Sequence, residues 1–290
     1  MTKFVLAFSV LCASLSAVFV RWSDAPSNVL VCYRMIFSAV MLMPSFFTKH
    51  HCELKTVSRK NLFFSLLSGI ALGLHFNLYF SSLRTTSIAS SLVLVDTEIF
   101  FIALFMYVFF GEKIKRACWP GILVSFLGII LIASSDAGGQ TALKGDILAL
   151  LGAAAVAVYT MIGRTVRQAG VSTTLYTLLV YAIAAVTSLG LLLFEGIPLF
   201  GYGLKNIACG LGLAIFPTLL GHSLFSWALK FENAATVSII KLFEPVCSTI
   251  FGVFLFDEVP GWLTLCGGLT TVVGLALYII AEKKTSVDEN

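Results

Sequence analysis

Charge is scarce in this sequence. Lys, Arg, Asp and Glu together make up 12% of its 290 residues, about half the share of an ordinary soluble domain. A water-soluble chain of this size would have too few ionic groups to cover its surface. Long loops are missing as well: the longest connection between apolar runs, 48–61, has 14 residues, too short to carry a separate catalytic unit. No H-E-x-x-H, G-x-S-x-G or phosphate-binding loop occurs, which removes the usual signatures of metal, nucleophilic and nucleotide chemistry. The seven cysteines (12, 32, 52, 118, 209, 247 and 266) include no C-x-x-C pair, and all but Cys52 stand where a small hydrophobe would serve. Cys52 follows His50 and His51 in a loop, a cluster without the second ligand pair that a metal site needs. The net charge of +4 is small and its basic residues are scattered through short loops, so no nucleic-acid partner is expected.

What the chain has in place of charge is apolar length. It is 58% hydrophobic, and ten runs, about 4–20, 28–47, 62–80, 88–110, 118–134, 147–163, 173–194, 207–229, 235–256 and 262–281, are separated by polar turns. Each is close to the roughly 20 residues that carry a helix across a bilayer. None alternates apolar and polar residues as the strands of a membrane barrel do. The first run has only Lys3 before it and Arg-Trp-Ser-Asp after it, so it reads as a retained helix, not a cleaved signal. With the N-terminus inside, thirteen basic residues fall on the inner side: Lys3, Lys49, Lys55, Arg59, Lys60, Lys113, Lys115, Arg116, Arg164, Arg167, Lys230, Lys283 and Lys284. Four, Arg21, Arg84, Lys144 and Lys205, fall outside, and Arg34 and Lys241 lie within spans. The asymmetry predicts an integral protein of the cytoplasmic membrane, surrounded by lipid, with both termini cytoplasmic.

The second half of the chain repeats the first. At an offset of 146 residues Glu98 meets Glu244, Glu112 meets Glu258, Gly121 meets Gly267, Gly128 meets Gly274, and Leu83-Arg84 meets Leu229-Lys230. The glutamates and glycines carry the weight, since greasy residues coincide by chance. Five spans separate the mates. An odd number forces the halves to cross the membrane in opposite senses. The basic Gly-Glu-Lys-Ile-Lys-Arg after Phe110 answers to Asp-Glu-Val-Pro-Gly after Phe256, so the charge bias reverses with the orientation. The expectation is an all-α integral membrane protein of ten helices in two inverted five-helix repeats, a plan that places a substrate site between the halves and permits alternating access.

Particular motifs also resemble a known family. Ala-Ser-Ser-Leu-Val-Leu-Val-Asp-Thr-Glu, then Gly-Glu-Lys-Ile, then Trp-Pro-Gly with Gly128 is similar to one EamA domain of the drug/metabolite transporter superfamily. Ala-Ala-Thr-Val-Ser-Ile-Ile-Lys-Leu-Phe-Glu-Pro-Val, Asp-Glu-Val-Pro, Gly267 and Gly274 resemble a second. The resemblance implies two repeats, 3–134 and 146–281, followed by a cytoplasmic tail, 282–290. It also implies a cavity built mostly by the first four helices of each half, with the fifth helices supporting packing or a homodimer. The family's Glu-Pro stands at Glu244-Pro245, whereas the first half reads Glu98-Ile99 and departs from it there.

A charge near the bilayer centre costs about 2.5–3.5 kcal/mol on insertion scales, so it should face protein or water and have a use. Arg34, Asp96, Glu98, Lys241 and Glu244 are such charges, and His75 and His222 titrate near neutrality. Asn77, Tyr79, Tyr159, Tyr176 and Trp227 offer hydrogen bonds and flat surfaces. Lys241 and Glu244, three apart, can pair within one helix. Asp96 and Glu98, two apart on a regular helix, point about 200° from each other and should not both face one cavity squarely. The expectation puts Glu98 and Glu244 on the cavity near the pseudo-twofold axis, with Asp96 meeting Arg34 or Lys241. Structural ion pairs are the competing role for the charges, and packed, hydrogen-bonded positions for the histidines. Trp22 and Trp119 read as interfacial belt residues.

Mixed charge with aromatics suits a small polar or zwitterionic metabolite. The function expected is a secondary transporter, an exporter of amino acids or related compounds, with drug efflux or uptake as alternatives. No cofactor is implied, and proton coupling through a buried glutamate is one way to drive it. A channel, a membrane-embedded enzyme, or a receptor or assembly factor are the non-carrier readings. A channel needs a ring of filter groups from several subunits, and an enzyme a water-accessible catalytic constellation.

Overall fold

The computed structural model describes residues 2–111, 114–136, 140–228 and 240–288. Its helices are α1 (Thr2–Trp22), α2 (Ser27–Lys49), α3 (Arg59–Leu83), α4 (Ile88–Asp96), α5 (Glu98–Phe110), α6 (Trp119–Asp136), α7 (Gln140–Gln168), α8 (Thr173–Glu195), α9 (Gly203–Leu213), α10 (Ser223–Ala228), α11 (Glu244–Phe256) and α12 (Trp262–Asp288). A π-helical stretch, Ala214–His222, joins α9 to α10 around Pro217. Among the described residues nine helical stretches are long and apolar enough to cross a membrane, with α4 and α5 forming one and α9 to α10 another. A further apolar helix, Glu244–Phe256, is shorter; it begins after the turn at Leu242–Phe243. Large apolar side chains point outward along the spans, among them Leu123, Phe126, Leu127 and Ile130 on α6. Such a surface suits lipid as its solvent.

The repeat is visible in the element boundaries. Helix α1 ends at Trp22 and α7 at Gln168; α2 runs Ser27–Lys49 and α8 Thr173–Glu195; α5 runs Glu98–Phe110 and α11 Glu244–Phe256. Every one of these pairs is 146 residues apart. The residue that ends α5 is Gly111, at φ +70°, and its mate Asp257 sits at φ +53°, the one non-glycine with a left-handed backbone among the described residues. Packing obeys the same symmetry: α1 lies on α11 as α7 lies on α4 and α5, and α2 pairs with its own mate α8. Helix α3 packs on α7 and α8, and α9 with the π-helical stretch packs on α1 and α2.

The fifth helices, α6 and α12, form the most intimate pair, and the four mated glycines explain it. A methyl group on Gly121 would come within 2.5 Å of the Tyr278 backbone nitrogen, and one on Gly267 within 2.7 Å of the Gly128 carbonyl oxygen. Without side chains the two backbones touch along the seam, as small residues allow in membranes. Ser125 adds a hydroxyl hydrogen bond to the Thr271 carbonyl at 3.0 Å.

Each half also breaks its fourth helix at the same place. Thr97 (φ −67°, ψ 2°) separates α4 from α5, and its mate Phe243 (φ −79°, ψ −10°) precedes α11. In the second half Pro245 removes an amide donor from the ladder and forces the break. The first half has no proline there. Thr97 supplies a substitute, because its hydroxyl donates to the Leu94 carbonyl at 2.6 Å and its own amide reaches the same oxygen at 3.3 Å. Local competition for one carbonyl ends the regular turn. The departure from Glu-Pro in the first half therefore leaves the geometry intact.

Candidate functional site

The two broken helices and the helices packed on them line a small, partly open cavity of about 50 Å³. Its wall takes Ser16 from α1, Arg34 from α2, His75, Phe76 and Tyr79 from α3, Asp96 and Glu98 from either side of the first break, His222 from the π-helical stretch, and Lys241 and Glu244 from either side of the second. Ala13, Leu92, Val95 and Val156 fill the apolar remainder. Both halves contribute.

Among the described residues, one ion pair on the cavity wall joins the two repeats. The Lys241 ammonium lies 3.0 Å from Glu98 Oε1, so Lys241 does not pair with Glu244 in its own helix. The break at Leu242–Phe243 is the reason, since Lys241 belongs to the turn before it and Glu244 to the helix after it. The break at Thr97 corrects a second expectation. Asp96 and Glu98 both line the cavity, which a continuous helix would forbid but a one-residue interruption allows. Asp96 meets neither Arg34 nor Lys241 within ion-pair distance among the described residues.

Arg34 is 1% exposed. Its Nε donates to Thr218 Oγ1 at 2.9 Å and its Nη1 to Ser16 Oγ at 3.5 Å, while the guanidinium carbon lies over Phe76, 3.9 Å from the ring centroid. The stacked cation is a favourable arrangement, and it leaves Nη2 buried without a hydrogen-bond partner. Asp96 Oδ2 and Glu244 Oε2 are likewise buried without one. His75 is anchored to the Gly152 carbonyl through Nδ1 at 2.9 Å and stacks on Tyr79 with centroids 5.9 Å apart.

Three residues singled out in the sequence are placed elsewhere. Asn77 turns away from the cavity, donating to the Gly73 carbonyl at 2.7 Å and to Ser188 Oγ at 2.8 Å. Tyr159 stacks on Tyr176, whose hydroxyl is 2.6 Å from Ser68 Oγ; both tyrosines belong to the α3–α7–α8 packing and not to the cavity wall. The side chain of Trp227 and those of His51 and Cys52 lie outside the described residues. Ser16, Phe76 and Thr218 escaped sequence reasoning because serine, phenylalanine and threonine are ordinary in apolar helices. Only their contact with Arg34 distinguishes them.

The cavity's surroundings are tied at both faces. On the face carrying Arg21 and Glu258, Glu258 Oε2 lies 3.1 Å from Arg21 Nη2 and Oε1 accepts the Ile88 amide at 2.6 Å. Arg21 Nη2 also reaches the Thr86 carbonyl at 2.9 Å, and Thr86 Oγ1 lies 2.9 Å from Asp146. Arg84 caps the Ala25 carbonyl at 2.6 Å. One carboxylate thus joins the ends of α1, α4 and α11. On the opposite face Glu53 accepts the amide of Ser172, the N-cap of α8, with His50 Nδ1 3.4 Å away. Burial works against the Glu53 carboxylate, but the Ser172 hydrogen bonds and the neighbouring imidazole outweigh it and hold this carboxyl below its ordinary value.

The EamA-like transporter family matches residues 2–134 and 143–280. A transporter of Archaeoglobus fulgidus is 25% identical over 283 residues, covering 95% of this chain and 96% of that one. The pseudopaline exporter CntI of Pseudomonas aeruginosa is 26% identical over 220 residues, 75% of each chain. Human solute carrier family 35 member G1 is 26% identical, with 94% of this chain and 78% of that protein covered. A solved crystal structure with 20% identity superposes at a TM-score of 0.64 over 97% of this chain and 98% of its own, which shows the shared fold. Two family matches that fall on the two structural repeats place this chain in the EamA-like transporter family.

Proposed function

We propose that this protein is a secondary transporter that exports small polar metabolites, amino acids or related compounds, across the cytoplasmic membrane by alternating access, with both termini in the cytoplasm. The observation that carries the reading is the charged cavity between two inverted halves, bridged by Glu98 and Lys241. Buried charges in membrane helices mark solute pathways, and sites at repeat interfaces suit rocking of one half against the other. The match to an exporter of a small metabolite supports the direction.

Counterflow in proteoliposomes tests it. Labelled amino acid should accumulate transiently inside vesicles preloaded with the unlabelled compound, because a carrier is trans-stimulated. Flux indifferent to the trans side would mean a channel and would end the carrier reading. The same vesicles under an imposed pH gradient decide the driving force. Proton coupling through the glutamates predicts a gradient response in the wild type that E98Q or E244Q abolishes, and unchanged pH dependence in both variants would exclude it.

A further inference from the structure

Three charged side chains on the cavity wall are left incomplete, and they are of opposite sign. Arg34, Asp96 and Glu244 are 1%, 7% and 8% exposed. Each keeps one terminal atom, Nη2, Oδ2 and Oε2, buried and without a hydrogen bond. Unpaired buried polar atoms are rare in native proteins and ask for an explanation. Mutual neutralisation is the obvious one, yet no ion pair joins Arg34 to either carboxylate among the described residues. Lys241 does not complete them, since its ion pair is with Glu98.

The way Arg34 is held makes the point stronger. Two hydroxyls, from α1 and the π-helical stretch, take its Nε and Nη1, and Phe76 covers one face of the guanidinium. These neutral contacts fix the orientation but supply no negative charge. A guanidinium carries five N–H donors in a planar fork suited to a carboxylate or phosphate. Buried cations are normally met by an anion in direct contact, and Arg34 has none within ion-pair distance among the described residues. Asp96 and Glu244 pose the converse problem at the two helix breaks, where backbone regularity is already interrupted.

We propose that Arg34, Asp96 and Glu244 form a dipolar binding site whose ligand carries both charges. Its anionic group, a carboxylate or a phosphate, docks on the free edge of the Arg34 guanidinium, and its ammonium or other cationic group docks between Asp96 and Glu244. The Glu98–Lys241 pair closes the wall beside it without adding net charge. This assignment rests on the exporter reading and narrows it: purely cationic drugs and neutral sugars would leave one end of the site unsatisfied, and a compound bearing both charges satisfies it.

The first test profiles the growth medium of cells overproducing the full-length protein against empty-vector cells. Compounds that rise with the wild type should each carry an anionic and a cationic group. Loss of a charge-assisted hydrogen bond predicts that R34Q lowers their export about tenfold or more, with R34K losing less because it keeps the charge. D96N and E244Q should lower export with the anion end intact. Protein amount in the membrane and gel-filtration profile in detergent accompany each variant. The second test needs only the wild type. In counterflow, the fully esterified form of the exported compound, which lacks the anion, and its N-acetyl form, which lacks the cation, should each compete about tenfold more weakly than the parent compound. An ester or an N-acetyl form that competes equally overturns the dipolar site, as does an exported compound with only one sign of charge. No compound rising in the medium would instead overturn the exporter reading itself, so the two failures are distinct.

Discussion

Replacing Lys241 by glutamine removes the ion pair that joins the two repeats on the cavity wall. The Nζ–Oε1 distance is 3.0 Å, and the side chains of Lys241 and Glu98 are 29% and 16% exposed. Fully exposed pairs contribute about 0.2–1 kcal/mol, and breaking a fully buried one costs about 3–5 kcal/mol, mostly because a lone charge is left behind. A pair roughly a quarter exposed to a polar cavity falls between these limits, so K241Q should destabilise by about 1–3 kcal/mol. E98Q should do the same. The double variant carries two neutral amides that can hydrogen-bond to each other, so it should recover most of the loss and leave a coupling energy of about 1 kcal/mol or more. The measurement is a double-mutant cycle on purified protein in detergent, with reversible unfolding followed by circular dichroism. Additive single effects, with coupling below about 0.3 kcal/mol, would show that the pair does not hold the halves together.

Further outcomes follow from the same geometry. G128A should lower the thermal midpoint in detergent, because the new methyl group would stand 2.5 Å from the Gly267 carbonyl oxygen and the Thr271 backbone nitrogen; overpacking of this kind costs about 1–3 kcal/mol, and an unchanged midpoint would mean the α6–α12 seam is looser than described. E258Q weakens the tie among α1, α4 and α11, so a cysteine placed at Val95 in the cavity should become more reactive, on the order of fivefold, toward an impermeant maleimide added from the Arg21 face, with R21Q matching it. The Glu53 carboxyl is lowered in the folded protein, so its stabilising share is fully present above the ordinary glutamate value near 4.5 and disappears as pH falls through the lower folded value. Thermal midpoints of wild type and E53Q, compared between neutral and acidic pH, should therefore converge in acid. Parallel curves would refute the Glu53–Ser172 strap.

Much of the candidate cavity wall was legible in the sequence, and the misses share one origin. Intramembrane charge flagged Arg34, Asp96, Glu98, Lys241 and Glu244, because lipid penalises charge whatever the fold. Their partners were misjudged because periodicity assumes an unbroken helix. Thr97 interrupts the first fourth helix by capturing the Leu94 carbonyl, an effect of one hydroxyl that leaves no mark on hydropathy. In the second half Pro245 announced a break, yet its consequence, Lys241 reaching across to Glu98 instead of back to Glu244, depends on how the two broken helices face each other. Asn77 and Tyr159 looked like cavity groups by composition, and the structure spends them on Gly73, Ser188 and Tyr176.

By itself the sequence determined the solvent, the span pattern and the inverted repeat. Each follows from quantities additive along the chain: apolar length against bilayer thickness, loop charge, and identity at a constant offset of 146 residues. Only the tertiary structure decided which charges pair and which stay open. Pairing is a matter of ångströms between residues distant in sequence, such as the 143 positions separating Glu98 from Lys241. Three buried groups of opposite sign left unjoined on one wall are a fact of packing, and no pattern along the chain encodes it.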